Sequence, residues 1–269
     1  MRQIAHISDL HFGTEEPPIA EGLLADLAAL APNVVVVSGD LTQRARRSQF
    51  QAAAAYLARI TPPKVVVPGN HDMPLYDFLH RMTRPLSRYR KYITREMFPV
   101  FQDDEIAVAG INTARPDMWK EGRISLAQLA AVRTRFDSLP RSLHKVLVTH
   151  HPFIPPKHDP KAGVVGRAKL AVKTLEACGC HILLAGHLHQ AYSGDVRMHH
   201  VKIKRSILVV QAGTAFSHRR RNEPNAYNYL TIDGDRLVLQ VRAWDGQNFT
   251  PTTEQIFDRV EGGWIVRAG

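Results

Sequence analysis

Five short blocks of this 269-residue chain carry side chains able to hold a cation or move a proton. They are Asp9-Leu10-His11, Gly39-Asp40, Gly69-Asn70-His71-Asp72, Thr149-His150-His151-Pro152 and Gly186-His187-Leu188-His189. Their donors are carboxylate, amide and imidazole atoms with no thiolate among them, a set that suits Mn, Fe or Zn better than soft copper or an iron–sulfur cluster. Asp9, His11, Asp40, Asn70, His150, His187 and His189 are too many ligands for one tetrahedral ion. They divide between two ions if a carboxylate bridges them, and Asp40 is the natural bridge. Asp9 and His11 are separated by one residue, so at a strand end they project the same way and can chelate one ion; His187 and His189 share that spacing. His150 and His151 compete for one position. His150 closes its strand and is the expected ligand, which leaves His151 behind the ligands or facing substrate.

The blocks follow short β-branched runs at residues 4–8, 33–38, 64–67, 145–149 and 181–185, which read as buried strands with polar C-terminal ends. Helical periodicity fills 19–30, 48–60, 125–136 and 167–177, with Ser48 and Ser125 as expected N-caps and Pro32 and Pro62-Pro63 as stops. This alternation predicts right-handed crossovers and an α/β core, whose ligands bind outside the carboxyl ends of the strands. Beyond about residue 190 the helical period gives way to strand-like stretches at 206–211, 227–232 and 236–243, with Asp233-Gly234-Asp235 predicting a hairpin. Segments 73–104, rich in Arg and aromatics, and 192–205, rich in His and Lys, read as insertions that form lids or substrate walls.

In this order the blocks D-L-H, G-D, G-N-H-D, T-H-H-P and G-H-L-H resemble the five signature motifs of the calcineurin-like metallophosphoesterase superfamily, across residues 9–189. The resemblance implies a four-layer αββα sandwich, two mixed β-sheets flanked by helices. It implies one metal ion held by Asp9, His11, Asp40 and His189 and a second held by Asp40, Asn70, His150 and His187. His71 matches the catalytic histidine, and Asp72 is placed to orient it. The two divalent ions, Mn or Fe before Zn or Co, would share a hydroxide that attacks phosphorus while His71 donates a proton to the leaving alkoxide. Within the superfamily the chain is most similar to the bacterial class III cyclic nucleotide and glycerophosphodiester phosphodiesterases, which implies hydrolysis of small phosphodiesters. A nucleotide-sugar or lipid pyrophosphatase, a DNA exonuclease and a non-catalytic nucleic-acid-binding scaffold stand as alternatives. The run at Gly213-Thr214 with Arg219, Arg221 and Asn225 resembles a segment that approaches substrate in the cyclic-nucleotide members. Arg44, which follows the Asp40 loop, Arg219, Arg221 and His151 are therefore the expected substrate contacts.

With 44% hydrophobic and 22% charged residues the composition excludes intrinsic disorder and fibrous structure, and the length suits one domain over 1–269. Thirty-five Lys and Arg against 25 Asp and Glu leave a formal charge of +10, which favours an anionic partner. A small phosphodiester is the expected one; nucleic acid is not favoured. Arg81, Arg84, Arg88, Arg90, Lys91 and Arg95, with Tyr89 and Tyr92, form a basic helical patch that either guides such a partner or is solvated charge. Cys178 and Cys180 lie too close for an ordinary disulfide, which suits a reducing compartment. No apolar run approaches the roughly 18 residues of a membrane span, and the first residues lack a signal-peptide core. A cytoplasmic protein is expected. An exposed strand edge in the second half suits a homodimer. His6, His144 and His181, in or beside strands, are expected to be structural.

Overall fold

The computed structural model describes residues 1–156, 159–198, 206–220, 223–261 and 263–267. Strands β1 (Arg2–Ile7), β2 (Val34–Ser38) and β3 (Lys64–Val67) run parallel. They continue on the other side of β1 through the antiparallel strands β10 (Ala226–Asp233), β11 (Arg236–Trp244), β12 (Phe249–Val260) and β13 (Gly263–Val266), in the order β13-β12-β11-β10-β1-β2-β3. A second sheet contains β4 (Val100–Gln102), β5 (Ile106–Gly110), β6 (His144–Val148), β7 (Ile182–Ala185), β8 (Tyr192–Asp195) and β9 (Leu208–Gln211), ordered β4-β5-β6-β7-β9-β8. Both sheets are mixed.

Residue alternation explains the layering. Val34 and Val36 of β2 pack with Val146, Val148 and Leu184 of the facing sheet, whereas Val35 and Val37 turn the other way. There they meet Leu23 and Leu27 of α1 (Pro17–Leu30) and Phe50 and Leu57 of α2 (Arg47–Ala58). In the second sheet Leu147 turns outward onto α5 (Leu126–Asp137) and α6 (Ala168–Ala177), where Val132, Phe136, Val172 and Leu175 receive it. Strands β2, β5, β6, β7 and β9 are buried along their whole length, with both faces covered, at roughly 1.5–3 kcal/mol per large side chain, whereas β12 leaves most of its residues exposed or half-buried. The result is the expected four-layer αββα arrangement.

Several elements differ from the reading of the sequence. Arg47 opens α2 one residue before Ser48, and Ser48 does not cap it: Gln49 Oε1 accepts from the backbone N–H of Arg46 (3.2 Å) and Arg44 (2.9 Å). Ser125 does cap α5, accepting from Gln128 N at 3.1 Å while Gln128 Oε1 accepts from Ser125 N at 2.9 Å. Strand β5 lies outside the predicted strands; in it β-branched Ile106 and Val108 alternate with small Ala107, Ala109 and Gly110, and a Cβ on Gly110 would crowd Val67 and Pro99. Segment 73–104 folds into α3 (Phe78–Thr83), α4 (Ser87–Tyr92) and β4, and β4 pairs with β5, so its end belongs to the sheet. Tyr192–Asp195 is likewise an edge strand rather than a lid, while 199–205 lie outside the described residues. The predicted hairpin joins β10 to β11, with Asp233 opposite Arg236 and Gly234 at φ 54°. Cys178 and Cys180 are buried free thiols among the residues packed on α6, and burial pushes both up, Cys178 to about 11. No described helix is long and apolar enough to cross a membrane.

Candidate metal centre

Each chemical block occupies the turn that leaves a strand: Asp9 and His11 follow β1, Asp40 follows β2, Asn70 and His71 follow β3, His150 follows β6, and His187 and His189 follow β7. These turns are tight. Asp9, His11, Asp40, His187 and His189 all hold φ between 47° and 80°, a region that costs a residue with a Cβ and that concentrates at functional sites. Glycine permits two close approaches: a Cβ on Gly69 would collide with Asp40, and one on Gly186 with Ser8 and Asp9. The glycines of the blocks are thus part of the site, because they let neighbouring strand ends stack.

The ligand atoms converge. Asp9 Oδ2 accepts from Ser8 Oγ (2.6 Å) and from the His187 N–H (3.0 Å). Among the described residues its Oδ1 is buried without a hydrogen-bond partner, 3.6 Å from His11 Nε2 and 3.8 Å from His189 Nε2, and neither ring nitrogen of His11 has a partner. Asp40 Oδ1 accepts from the His71 N–H (2.8 Å), while its Oδ2 lies 3.8 Å from His11 Nε2 and 3.4 Å from His150 Nε2. His150 Nε2 is also 3.2 Å from Asn70 Oδ1 and 3.2 Å from His187 Nδ1. The far nitrogens are held from behind: His150 Nδ1 donates to the Ser38 carbonyl (2.8 Å), and His189 Nδ1 meets Thr214 Oγ1 (2.8 Å). Such backing fixes which nitrogen faces the centre. Unpaired buried donors and acceptors aimed at one another are costly unless a cation joins them, and oxygen with imidazole nitrogen fits a hard or borderline divalent ion.

The charges agree. Burial opposes ionisation of Asp9 and Asp40, yet the surrounding imidazoles, His189 for Asp9 and His150 for Asp40, hold both carboxyls below the usual range. Burial pushes His187 down to about 3 and His189 to about 4, so both rings are neutral at neutral pH, the form that binds a cation. His150 is raised to about 9, since the Asp40 charge outweighs burial; that ring carries a proton at neutral pH, and a cation at its Nε2 would have to displace it.

The sequence-derived residues fare differently. His71 donates from Nδ1 to the Gln43 carbonyl (3.0 Å), and its Nε2 accepts from Arg219 Nη1 (3.1 Å), which also donates to Gln43 Oε1 (3.2 Å). Arg219 therefore stands beside His71. Asp72 does not orient the His71 ring. Its buried carboxylate accepts from the N–H groups of Gly69 (2.9 Å), Leu41 (3.2 Å) and Thr42 (2.9 Å) and from Thr42 Oγ1 (3.0 Å), because its side chain points back between the turns after β2 and β3. Burial, with the Asp40 charge, lifts Asp72 to about 6. It positions the two turns rather than the ring. His151 does not reach a substrate space: it is fully buried, its Nδ1 2.8 Å from Thr113 Oγ1, and its ring packs on His150 and His187. One of its ring nitrogens lies within 4.8 Å of ligand atoms of His150 and His187, so it belongs to that part of the centre rather than to a substrate wall. Arg44 reaches the rim, and Arg221 lies outside the described residues.

A pocket of about 270 Å³ opens at His71 and Asn70. Arg44, Arg81, Lys120 and Arg219 line it with Trp119, and no carboxylate is among the described lining residues. Trp119 and Lys120 were not among the sequence-derived candidates, since they sit in a loop without a strand-end signature; Thr214, just beyond β9, belongs to the Gly213-Thr214 run that the sequence singled out, and it holds His189 rather than lining the pocket.

The model of the calcineurin-like phosphoesterase family matches residues 2–191. A protein named probable cyclic nucleotide phosphodiesterase from Synechococcus sp. is 24% identical over 70% of this chain and 74% of its own length; one of the same name from Rhodopseudomonas palustris is 25% identical over 76% and 75%. Glycerophosphodiester phosphodiesterase GpdQ of Enterobacter lignolyticus is 32% identical, over 26% of this chain and 29% of its own. Among solved structures, purple acid phosphatase from yellow lupin superposes with a TM-score of 0.69 at 15% identity over 94% of this chain, which spans about half (53%) of that enzyme. A dimetal phosphatase from Danio rerio gives 0.65 at 13% identity, over 90% of this chain and 96% of its own. The family match covers all five strand-end blocks that build the centre, and the chain belongs to the calcineurin-like phosphoesterase family.

Proposed function

We propose that the protein hydrolyses small anionic phosphodiesters, with cyclic-nucleotide-like diesters as the first class to test. The observation that carries this reading is the position of Asp40 Oδ2 between His11 Nε2 (3.8 Å) and His150 Nε2 (3.4 Å), which joins two ligand clusters through one carboxylate. Asp9, His11, Asp40 and His189 would hold one divalent cation, and Asp40, Asn70, His150 and His187 a second. Mn or Fe is the expected pair, with Zn or Co as alternatives. When bound, the cations supply Lewis acidity toward phosphoryl oxygens and lower the pKa of water. The chain does the rest. Arg219, beside Arg44 and Lys120 in the pocket, offers donors to phosphoryl oxygen and offsets its charge. His71 Nε2 opens into the same space, where, once protonated, it can pass that proton to the leaving oxygen while Gln43 holds Nδ1. The diester preference draws on the names of the two relatives, and the pocket volume suits a small substrate.

The test compares hydrolysis of bis(p-nitrophenyl) phosphate and p-nitrophenyl phosphate with Mn²⁺ or EDTA, for wild type and Asp40→Ala. Metal-dependent diester cleavage that drops at least roughly 10³-fold in the variant is expected, since removing a shared ligand disables both halves of the site. Preferential monoester cleavage would move the reading to a phosphatase.

A further inference from the structure

The segment between the Asn70–Asp72 turn and β4 presents an amphipathic surface beside the pocket. On α3, Phe78 (65% exposed), Leu79 (73%) and Met82 (43%) form one stripe, because positions i, i+1 and i+4 share a helix face; Tyr76 (81%) precedes it. The opposite face is already committed. Arg81 is buried and donates to the carbonyls of Pro116 (2.8 Å), Met118 (2.8 Å) and Pro74 (3.2 Å), with its guanidinium 4.4 Å over the Trp119 ring. The apolar stripe is therefore held outward by the packing of the helix that bears it. Contiguous apolar side chains in water mark an interaction site. Beside the stripe an open groove of about 670 Å³ runs between α3 and α4, where Arg47, Arg84, Arg88 and Lys91 face a single carboxylate, Asp77.

We propose that this face docks the protein on an anionic phospholipid bilayer surface. The stripe enters the boundary between headgroups and acyl chains, and the groove cations meet headgroup phosphates, the pairing of apolar and basic side chains that interfacial binding requires. The formal charge of +10 supplies attraction at longer range. Charge complementarity selects this occupant. A nucleic acid would engage the cations but leave Leu79 and Met82 in water. A second copy docking by the same face across a two-fold axis would bring the same cations against themselves. Arg44, which lines the pocket that contains His71 and Arg219, lies 5.9 Å over the ring of Tyr76, so the docked face and the pocket are neighbours.

The full chain, loaded with Mn²⁺, is sedimented with vesicles of phosphatidylcholine alone and of phosphatidylcholine with phosphatidylglycerol, at low and high salt. The variants are Phe78→Asp with Leu79→Asp, and Arg84→Glu with Arg88→Glu; thermal melts confirm that both fold. Binding confined to the anionic vesicles and weakened by salt is expected, with each double variant lowering the partition constant roughly tenfold or more. Absence of binding to anionic vesicles overturns the proposal, and so does binding that the two aspartates leave unchanged. Two further results overturn it: a dimer in solution that the aspartates dissociate while vesicles are ignored, which makes a second copy the occupant, or duplex DNA bound where vesicles are not. Sedimentation requires no turnover, so a failed phosphodiesterase assay leaves this result readable.

Discussion

At the scale of single residues the centre consists of ligands and of the residues that aim them. The proposed ligands Asp9, His11, Asp40, Asn70, His150, His187 and His189 lie within the five blocks visible in the sequence, because oxygen and imidazole donors at successive strand ends are what a cation needs and what a buried core otherwise avoids. Of the residues that aim them, only Thr214 lay in a run that the sequence singled out for substrate contact, and not for this role. Ser8, Gln43 and Thr214 hold Asp9, His71 and His189 through single hydrogen bonds that depend on where loops from different strands meet. Asp72 shows the limit most clearly: adjacency to His71 suggested an orienting role, but adjacent residues in a turn point apart, and its carboxylate serves the backbone behind. Arg219 lies 148 residues from His71 yet donates to it. Arg219→Ala should lower kcat/KM for a diester roughly 10–100-fold, the loss of a charge-assisted hydrogen bond of about 1.5–3 kcal/mol. Arg219→Lys should recover only part, since lysine lacks the planar fork. Steady-state kinetics that stay within about twofold of wild type would remove Arg219 from the machinery.

At the scale of elements, the strands adjoining the centre were legible where β-branched runs ended in a chemical block, and illegible where packing demanded small residues. Strand β5 ends in Gly110 because Val65, Val67 and Pro99 press on it there, and its Ala107 and Ala109 pack against the cluster under α5 and α6. Strand β1 carries a polar residue between the sheets: His6 Nε2 donates to Ser38 Oγ at 2.9 Å, and Asn228 Nδ2 approaches its Nδ1 at 3.4 Å. That is the structural role expected for His6. Burial, only partly offset by the Asp9 charge, pushes it down to about 3, against about 6.5 in the unfolded chain. The unfolded state thus binds the extra proton, so His6 leaves stability intact above about pH 6.5 and subtracts from it as pH falls toward 3, by up to about 1.4 kcal/mol per pH unit. Urea unfolding of wild type and His6→Gln at about pH 7, 6 and 5 should show a shallower loss in the variant; parallel losses would mean that His6 does not titrate with unfolding.

At the scale of the whole molecule, two sheets bring strand ends from both halves of the fold to one edge. Asp9, Asp40 and Asn70 come from one sheet and His150, His187 and His189 from the other, so the centre straddles the packed interface. A cation bound there ties the sheets together and should stabilise the fold by mass action, about 2.7 kcal/mol at roughly one hundred times its Kd. That corresponds to a rise in Tm of roughly 5–10 °C for a chain of this size. Thermal melts with EDTA or added Mn²⁺ should show this shift in wild type and a much smaller one in Asp40→Asn. No shift with Mn, Fe, Zn or Co would deny the centre a cation.

The order of the blocks and the strands before them were enough to identify the family, and through that resemblance the sandwich, because the blocks are local properties: a turn, a spacing, a side-chain type. Tertiary structure alone decided which oxygen of Asp40 faces both histidine clusters, that Asp72 and His151 turn away from the pocket, and that Arg219, Arg81 and Trp119 meet at its rim. Those depend on distances between segments far apart in the chain, which no local pattern encodes.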